Sequence, residues 1–172
     1  GLGDVYKRQV EYTELFKWQS REAPAIVREG DTYFMMFSAC SGWDPNQASF
    51  SWSKSLTSGW SSRTNIGNSV AYDTQAASIL TIKGSEGTSY VYVGDRWQDP
   101  GLAESKTILF PISFKNNTIT FNYVPRFDMN LPTGQCRTTG MTHLVSKEGW
   151  KVRACSSEET SSENGASSNA ID

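Results

Sequence analysis

Two segments of this chain repeat one another 53 residues apart, and that repeat restricts the fold more than any other feature. The first runs Glu22-Ala23-Pro24-Ala25-Ile26-Val27, turns at Glu29-Gly30-Asp31, and continues as Thr32-Tyr33-Phe34-Met35-Met36-Phe37. The second runs Ala77-Ser78-Ile79-Leu80-Thr81-Ile82, turns over Lys83 to Thr88, and continues as Ser89-Tyr90-Val91-Tyr92-Val93-Gly94. Short apolar and aromatic runs bounded by Gly turns read as β-hairpins. The run from Tyr33 to Phe37 is apolar at every position, so both of its faces are expected to be buried. Laying Ile26 on Ile79 carries Glu22 onto Gln75. Further strands are expected at 48–53, 107–114 and 118–123, with a fourth strand of the first unit after Ser58-Gly59-Trp60. Asn116-Asn117 supplies a tight hairpin turn. A period near 50 residues with about four strands per unit is that of a propeller blade. Inner strands of a propeller line a central channel, so Glu22 and Gln75 are expected to face one axial pocket. The competing reading is a chance match of two ordinary hairpins, with Glu22 a solvated strand-end carboxylate and Gln75 satisfying backbone groups.

Composition agrees with an all-β, turn-rich chain: six Trp, seven Tyr and eight Phe accompany 14 Gly. A net charge of -2 gives no electrostatic footprint for nucleic acid. No apolar run reaches membrane-spanning length. The three cysteines, Cys40, Cys136 and Cys155, are odd in number and have no metal-site spacing, so they read as free or incidentally paired thiols. No metal site and no cofactor are expected, and a structural ion in a propeller channel stays open. His143, the one histidine, reads as structural. The Asn-x-Thr at Asn116 is explained by its turn.

About two blades are legible, with part of a third near Met141–Val145. A closed propeller needs four or more, so the chain is expected to be part of a larger propeller whose other blades lie upstream. Residues 1–9 contain no apolar run of signal-peptide type and resemble a translated sequencing adapter; they are set aside as a non-native leader. The propeller part is expected to span 10–148 and a separate, truncated segment 149–172.

Two loops follow the second strands of the units, Ser41-Gly42-Trp43-Asp44-Pro45-Asn46 and Asp95-Arg96-Trp97-Gln98-Asp99-Pro100-Gly101. Trp43 and Trp97 could stack on a sugar ring or pack blade against blade. Asn46, Asp95 and Arg96 could bond sugar hydroxyls. The alternative is loop closure with a local Asp95–Arg96 salt bridge, and Arg96 could instead reach the axial pocket.

Glu22-Ala23-Pro24, the Ser41–Asn46 loop and Gly94-Asp95-Arg96-Trp97, with Gln75 between them, together resemble glycoside hydrolase family 43, in its exo-β-1,3-galactanase-like branch. The resemblance covers about residues 15–125 and implies the later blades of a five-bladed β-propeller. It implies inverting hydrolysis, with Glu22 as general acid. In that branch a Gln faces the attacking water, and Gln75 matches it. The Asp that tunes the acid belongs to an earlier blade and has no counterpart here, which implies that the chain alone is inactive. An amide has no readily available proton-accepting site, so Gln75 is assigned to water positioning and the base is left open. The implied partner is a polysaccharide or oligosaccharide, and the implied location is secreted, periplasmic or at the cell surface. An arabinofuranosidase or xylosidase of the same family and a non-catalytic glycan-binding propeller are the alternatives. From Trp150 to Asp172 the chain resembles the opening of a discoidin-like (F5/8 type C) carbohydrate-binding module, expected to be disordered beyond about Ser157.

Overall fold

A computed structural model of the chain describes residues 13–138. The expected third-blade part at 141–145, His143, Cys155, the leader and the discoidin-like segment lie outside the described residues. Within them the protein is built of antiparallel strands. Strands β1 (Arg21–Glu29), β2 (Thr32–Ala39), β3 (Ser49–Ser53) and β4 (Thr64–Asn65) form one sheet in that order. Strands β5 (Gln75–Lys83), β6 (Thr88–Arg96), β7 (Lys106–Lys115) and β8 (Thr118–Phe121) form the second. Two four-stranded meanders in succession are two blades of the expected propeller.

The inner strands β1 and β5 lie side by side, so the blades meet along them. Behind them the aromatic residues interlock. Phe34 of β2 and Tyr90 of β6 both pack on Phe114 of β7, with ring centroids 4.6 and 4.9 Å apart. Tyr92, Phe110 and Phe121 fill the second blade and are buried. Each fully buried side chain of this size contributes about 1.5–3 kcal/mol relative to exposure. From Phe34 to Ser38 every residue of β2 is buried, as its unbroken apolar run implies. Phe34 and Met36 join the core shared with the second blade, while Phe37 meets Phe16 at 5.2 Å. Ser38 follows Met36 by two residues and therefore continues the face turned to the second blade.

The Asn116-Asn117 turn has φ of 50° and 57° at its two residues, the left-handed pair that a two-residue hairpin demands. The first blade's fourth strand lies at Thr64–Asn65, beyond the Ser58-Gly59-Trp60 turn as expected, after a Ser-rich excursion held by Ser53 Oγ donating to the Ser58 carbonyl at 2.6 Å. Two expectations shift. Asp95 and Arg96 belong to β6 and not to the loop, because the ladder to β7 runs on through Asp95–Thr107 and Arg96–Lys106. A further hairpin, β9 (Phe127–Asn130) with β10 (Gln135–Thr138), was not expected; its signal is the Pro132-Thr133-Gly134 turn. That turn docks on the β5–β6 turn, where the amides of Ser85 and Glu86 donate to the carbonyls of Pro132 and Thr133, each at 3.0 Å. A Cβ at Gly84 would overlap the Thr133–Gly134 backbone, which is why the position is glycine.

Candidate active site

Glu22 and Gln75 stand at the start of β1 and β5, and each inner strand carries a one-residue bulge just beyond. The β1–β2 register slips between Glu22 and Ala25, and the β5–β6 register slips between Ala76 and Ser78. Bulges bend a strand and re-aim the side chains beside them. At the first bulge Ala23 takes a left-handed φ of 51°.

The repeat brings these two side chains into contact. Gln75 Nε2 donates to Glu22 Oε1 at 3.0 Å and to Ser38 Oγ at 3.0 Å. Gln75 Oε1 accepts from the Trp97 indole N–H at 3.0 Å. Both amide hydrogens and one lone pair of Gln75 are thereby engaged, which leaves one lone pair on Oε1. The sequence reading puts Gln75 in one pocket with Glu22 and assigns it to water positioning; in the structure its amide nitrogen lies on the Glu22 carboxylate itself. The contact is shorter than the roughly 6.5–9.5 Å that separates acid and base in an inverting pair. Gln75 therefore orients the carboxylate directly, and its free lone pair is what remains for a water.

A strained turn delivers Gln75. Ala71, Tyr72 and Asp73 all have left-handed φ, between 49° and 58°. Such residues cost roughly 1–2 kcal/mol each, and the turn persists because it is bonded throughout. Asn68 Oδ1 accepts from the amides of Val70 and Tyr72 at 3.3 and 2.7 Å. Arg96 donates to the carbonyls of Tyr72 at 2.9 Å and Asp73 at 3.3 Å. Thr74 Oγ1 donates to the Ala71 carbonyl at 2.6 Å, so it accepts from the Tyr92 hydroxyl at 2.9 Å.

Trp43, Asn46, Gln75, Asp95, Arg96 and Trp97 all line one cleft, joined by Ser38, Asp44, Asp73 and Thr74. The cleft holds about 50 Å³, room for a few waters. Glu22 lines a second cleft, with Leu15, Phe16 and Met35, and so stands in the wall between the two. The loop-closing alternative describes Asn46 well: its amide accepts from the Ala39 N–H at 2.9 Å and donates to the Ala39 carbonyl at 3.0 Å. The proposed Asp95–Arg96 salt bridge does not form. Neighbours in a strand point to opposite faces, and Arg96 is spent on the carbonyls of the 71–74 turn. Trp43 and Trp97 meet edge to face at 5.0 Å, with Trp43 48 % exposed. Of the residues missed from sequence, Ser38 was within reach: it pairs with Glu22 across β1–β2.

Burial pushes the Tyr92 hydroxyl up to about 12, with the Thr74 hydrogen bond pulling it down and the charge of Asp95 adding to the rise. An unfolded tyrosine ionises near 10. The folded state thus holds its proton more tightly, and Tyr92's contribution is complete below about pH 10 and lost as pH rises towards 12. Urea titrations of the purified chain should show its unfolding free energy falling over this window, with on the order of 2 kcal/mol of the fall from Tyr92. Tyr92→Phe should flatten that fall; an unchanged fall in the variant would refute the assignment.

No family model matches the sequence, and no curated protein matches it. Solved structures do. An exo-β-1,3-galactanase from Clostridium thermocellum superposes with a TM-score of 0.69 at 37% identity, over 71% of this chain and 27% of that one. A GH43 β-1,3-galactosidase superposes at 0.62 with 28% identity, over 67% of this chain and 25% of that one. The exo-β-1,3-galactanase from Phanerochaete chrysosporium, crystallised with β-1,3-galactotriose, superposes at 0.62 with 29% identity, over 69% of this chain and 27% of that one. The chain spans about a quarter of the length of these proteins. The described residues are an all-β part of a propeller. Their fold is that of glycoside hydrolase family 43.

Proposed function

We propose that this chain forms the acid-bearing part of a glycosidase that removes galactose, with inversion, from the ends of β-1,3-linked galactan. The observation that carries the reading is the contact between Glu22 and Gln75, two side chains 53 residues apart. In this reading Glu22, protonated, gives its proton to the departing glycosidic oxygen. A water attacks the anomeric carbon from the opposite face of the ring, and the free lone pair of Gln75 Oε1 helps hold it. The water's proton passes to a base that the proposal leaves unassigned. Acid–base chemistry of this kind requires no resident cofactor. Trp43, half exposed, offers a ring for a sugar to stack on, and a polymeric plant substrate implies an exported enzyme.

The solved galactanases are about four times longer than the matched segment, so the test uses a chimera. Residues 20–138 replace the corresponding segment of the Clostridium thermocellum enzyme. The chimera should release galactose from β-1,3-galactan and leave arabinofuranosides and xylosides intact. Release of arabinose or xylose instead would move the substrate to the other members of the family. Binding of galactan without hydrolysis would favour the glycan-binding reading, which the neutral Gln75 in the place of a carboxylate supports.

A further inference from the structure

We infer that Trp97 is a positioning residue: its indole N–H fixes which end of the Gln75 amide faces Glu22. The inference rests on the proposed role of Glu22 and Gln75 and adds a part to it. An amide side chain is nearly symmetric in shape, and a half-turn about its last bond exchanges a donor for an acceptor. Next to a carboxylate the two orientations differ sharply, since the nitrogen attracts it and the oxygen repels it. Three contacts decide the orientation here, and they are unequal. Ser38 Oγ accepts at 3.0 Å while its own hydrogen reaches the Glu22 carbonyl only weakly, at 3.5 Å; turning that hydrogen to the amide costs little, so Ser38 prefers the nitrogen only slightly. Glu22 favours the nitrogen only while it is ionised. The general acid must be protonated at the start of each turnover, and a protonated carboxyl can donate to the amide oxygen. At that stage neither residue firmly specifies the orientation. The indole N–H, at 3.0 Å from Oε1, is a donor in every protonation state. Trp97 alone among the three partners therefore holds the oxygen in place throughout a catalytic cycle.

The fold keeps that donor in position. Trp97 directly follows β6, whose last pairs are Asp95–Thr107 and Arg96–Lys106. Arg96 ties the same corner to the 71–74 turn that leads into Gln75. The edge contact with Trp43, at 5.0 Å, adds a further support to the indole. The two tryptophans thus divide the work: Trp43 is the half-exposed ring, and Trp97 presents its N–H to the amide.

Two measurements test this. In the purified 172-residue chain, the Trp97 indole N–H resonance should be protected from solvent exchange, and Gln75→Ala should remove that protection by at least about tenfold. An unprotected indole, or one insensitive to Gln75→Ala, overturns the inference whatever the protein's activity. In the chimera, Trp97→Phe keeps an aromatic ring and removes the donor. It should lower kcat about tenfold with KM nearly unchanged, and should cost nothing further in a Gln75→Ala background. A rise in KM, or an equal loss in both backgrounds, would make Trp97 a sugar-stacking residue and sink the positioning role. An inactive parent chimera would count against the proposed function, while the exchange measurement would still decide the contact.

Discussion

Glu22→Gln in the active chimera should cut galactose release by at least about a hundredfold. A positioned proton donor contributes roughly 10²- to 10⁴-fold, and departure of a sugar alkoxide without a proton is the hard step that the donor relieves. The substitution is informative because it is nearly isosteric. An amide at this position still offers an oxygen to Gln75 Nε2, so the 3.0 Å contact and the strand entry need not change. The loss should therefore fall on kcat, with KM for galactooligosaccharides largely kept and the thermal midpoint unchanged. A substrate with an activated aryl leaving group needs less protonation, and its hydrolysis should suffer less. Full activity of Glu22→Gln on galactan would remove Glu22 from the chemistry altogether.

Gly94→Ala should destabilise the chain by about 1–3 kcal/mol, the range for forcing an extra methyl into a packed site. Gly94 has no left-handed backbone to excuse its glycine, and in an ordinary strand Ala would be the better residue. The reason is local. The Tyr92 ring lies forward along β6 over Gly94, and a Cβ there would overlap the ring and its hydroxyl. Tyr92 has nowhere to go, since it is fully buried, packs on Phe121 at 4.7 Å and bonds Thr74 at 2.9 Å. Yielding to the methyl would break the Thr74 bond, one residue from Gln75. Urea unfolding should show a lower midpoint with an unchanged slope. In a Tyr92→Ala background the same Gly94→Ala change should cost little. An equal cost with and without the ring would place the cause elsewhere.

Much of the architecture was legible because hairpins are local. Apolar runs, Gly turns and the Asn116-Asn117 pair marked most strands of both blades within a few residues. The unalternating apolar run of β2 correctly announced burial on both faces. The β9–β10 hairpin escapes a reading of the sequence because its strands are short and contain no buried residue, so no apolar pattern advertises them. Asp95 and Arg96 read as loop in the sequence because polar residues end the apolar run there. The ladder to β7 continues regardless, since backbone pairing does not require apolar side chains. That ladder also set the pair apart, one residue to each face, and sent Arg96 to the carbonyls of the 71–74 turn.

The sequence by itself determined the strands, the blade period and the equivalence of Glu22 with Gln75. These depend on local propensity and on counting residues, and both survive translation into one dimension. Only the tertiary structure decided how that equivalence is used. Two bulges, a left-handed turn and an indole from the far end of β6 turn two equivalent positions into one hydrogen-bonded pair. Side-chain direction over the last few ångströms depends on partners 16 to 53 residues away, and no local pattern encodes it.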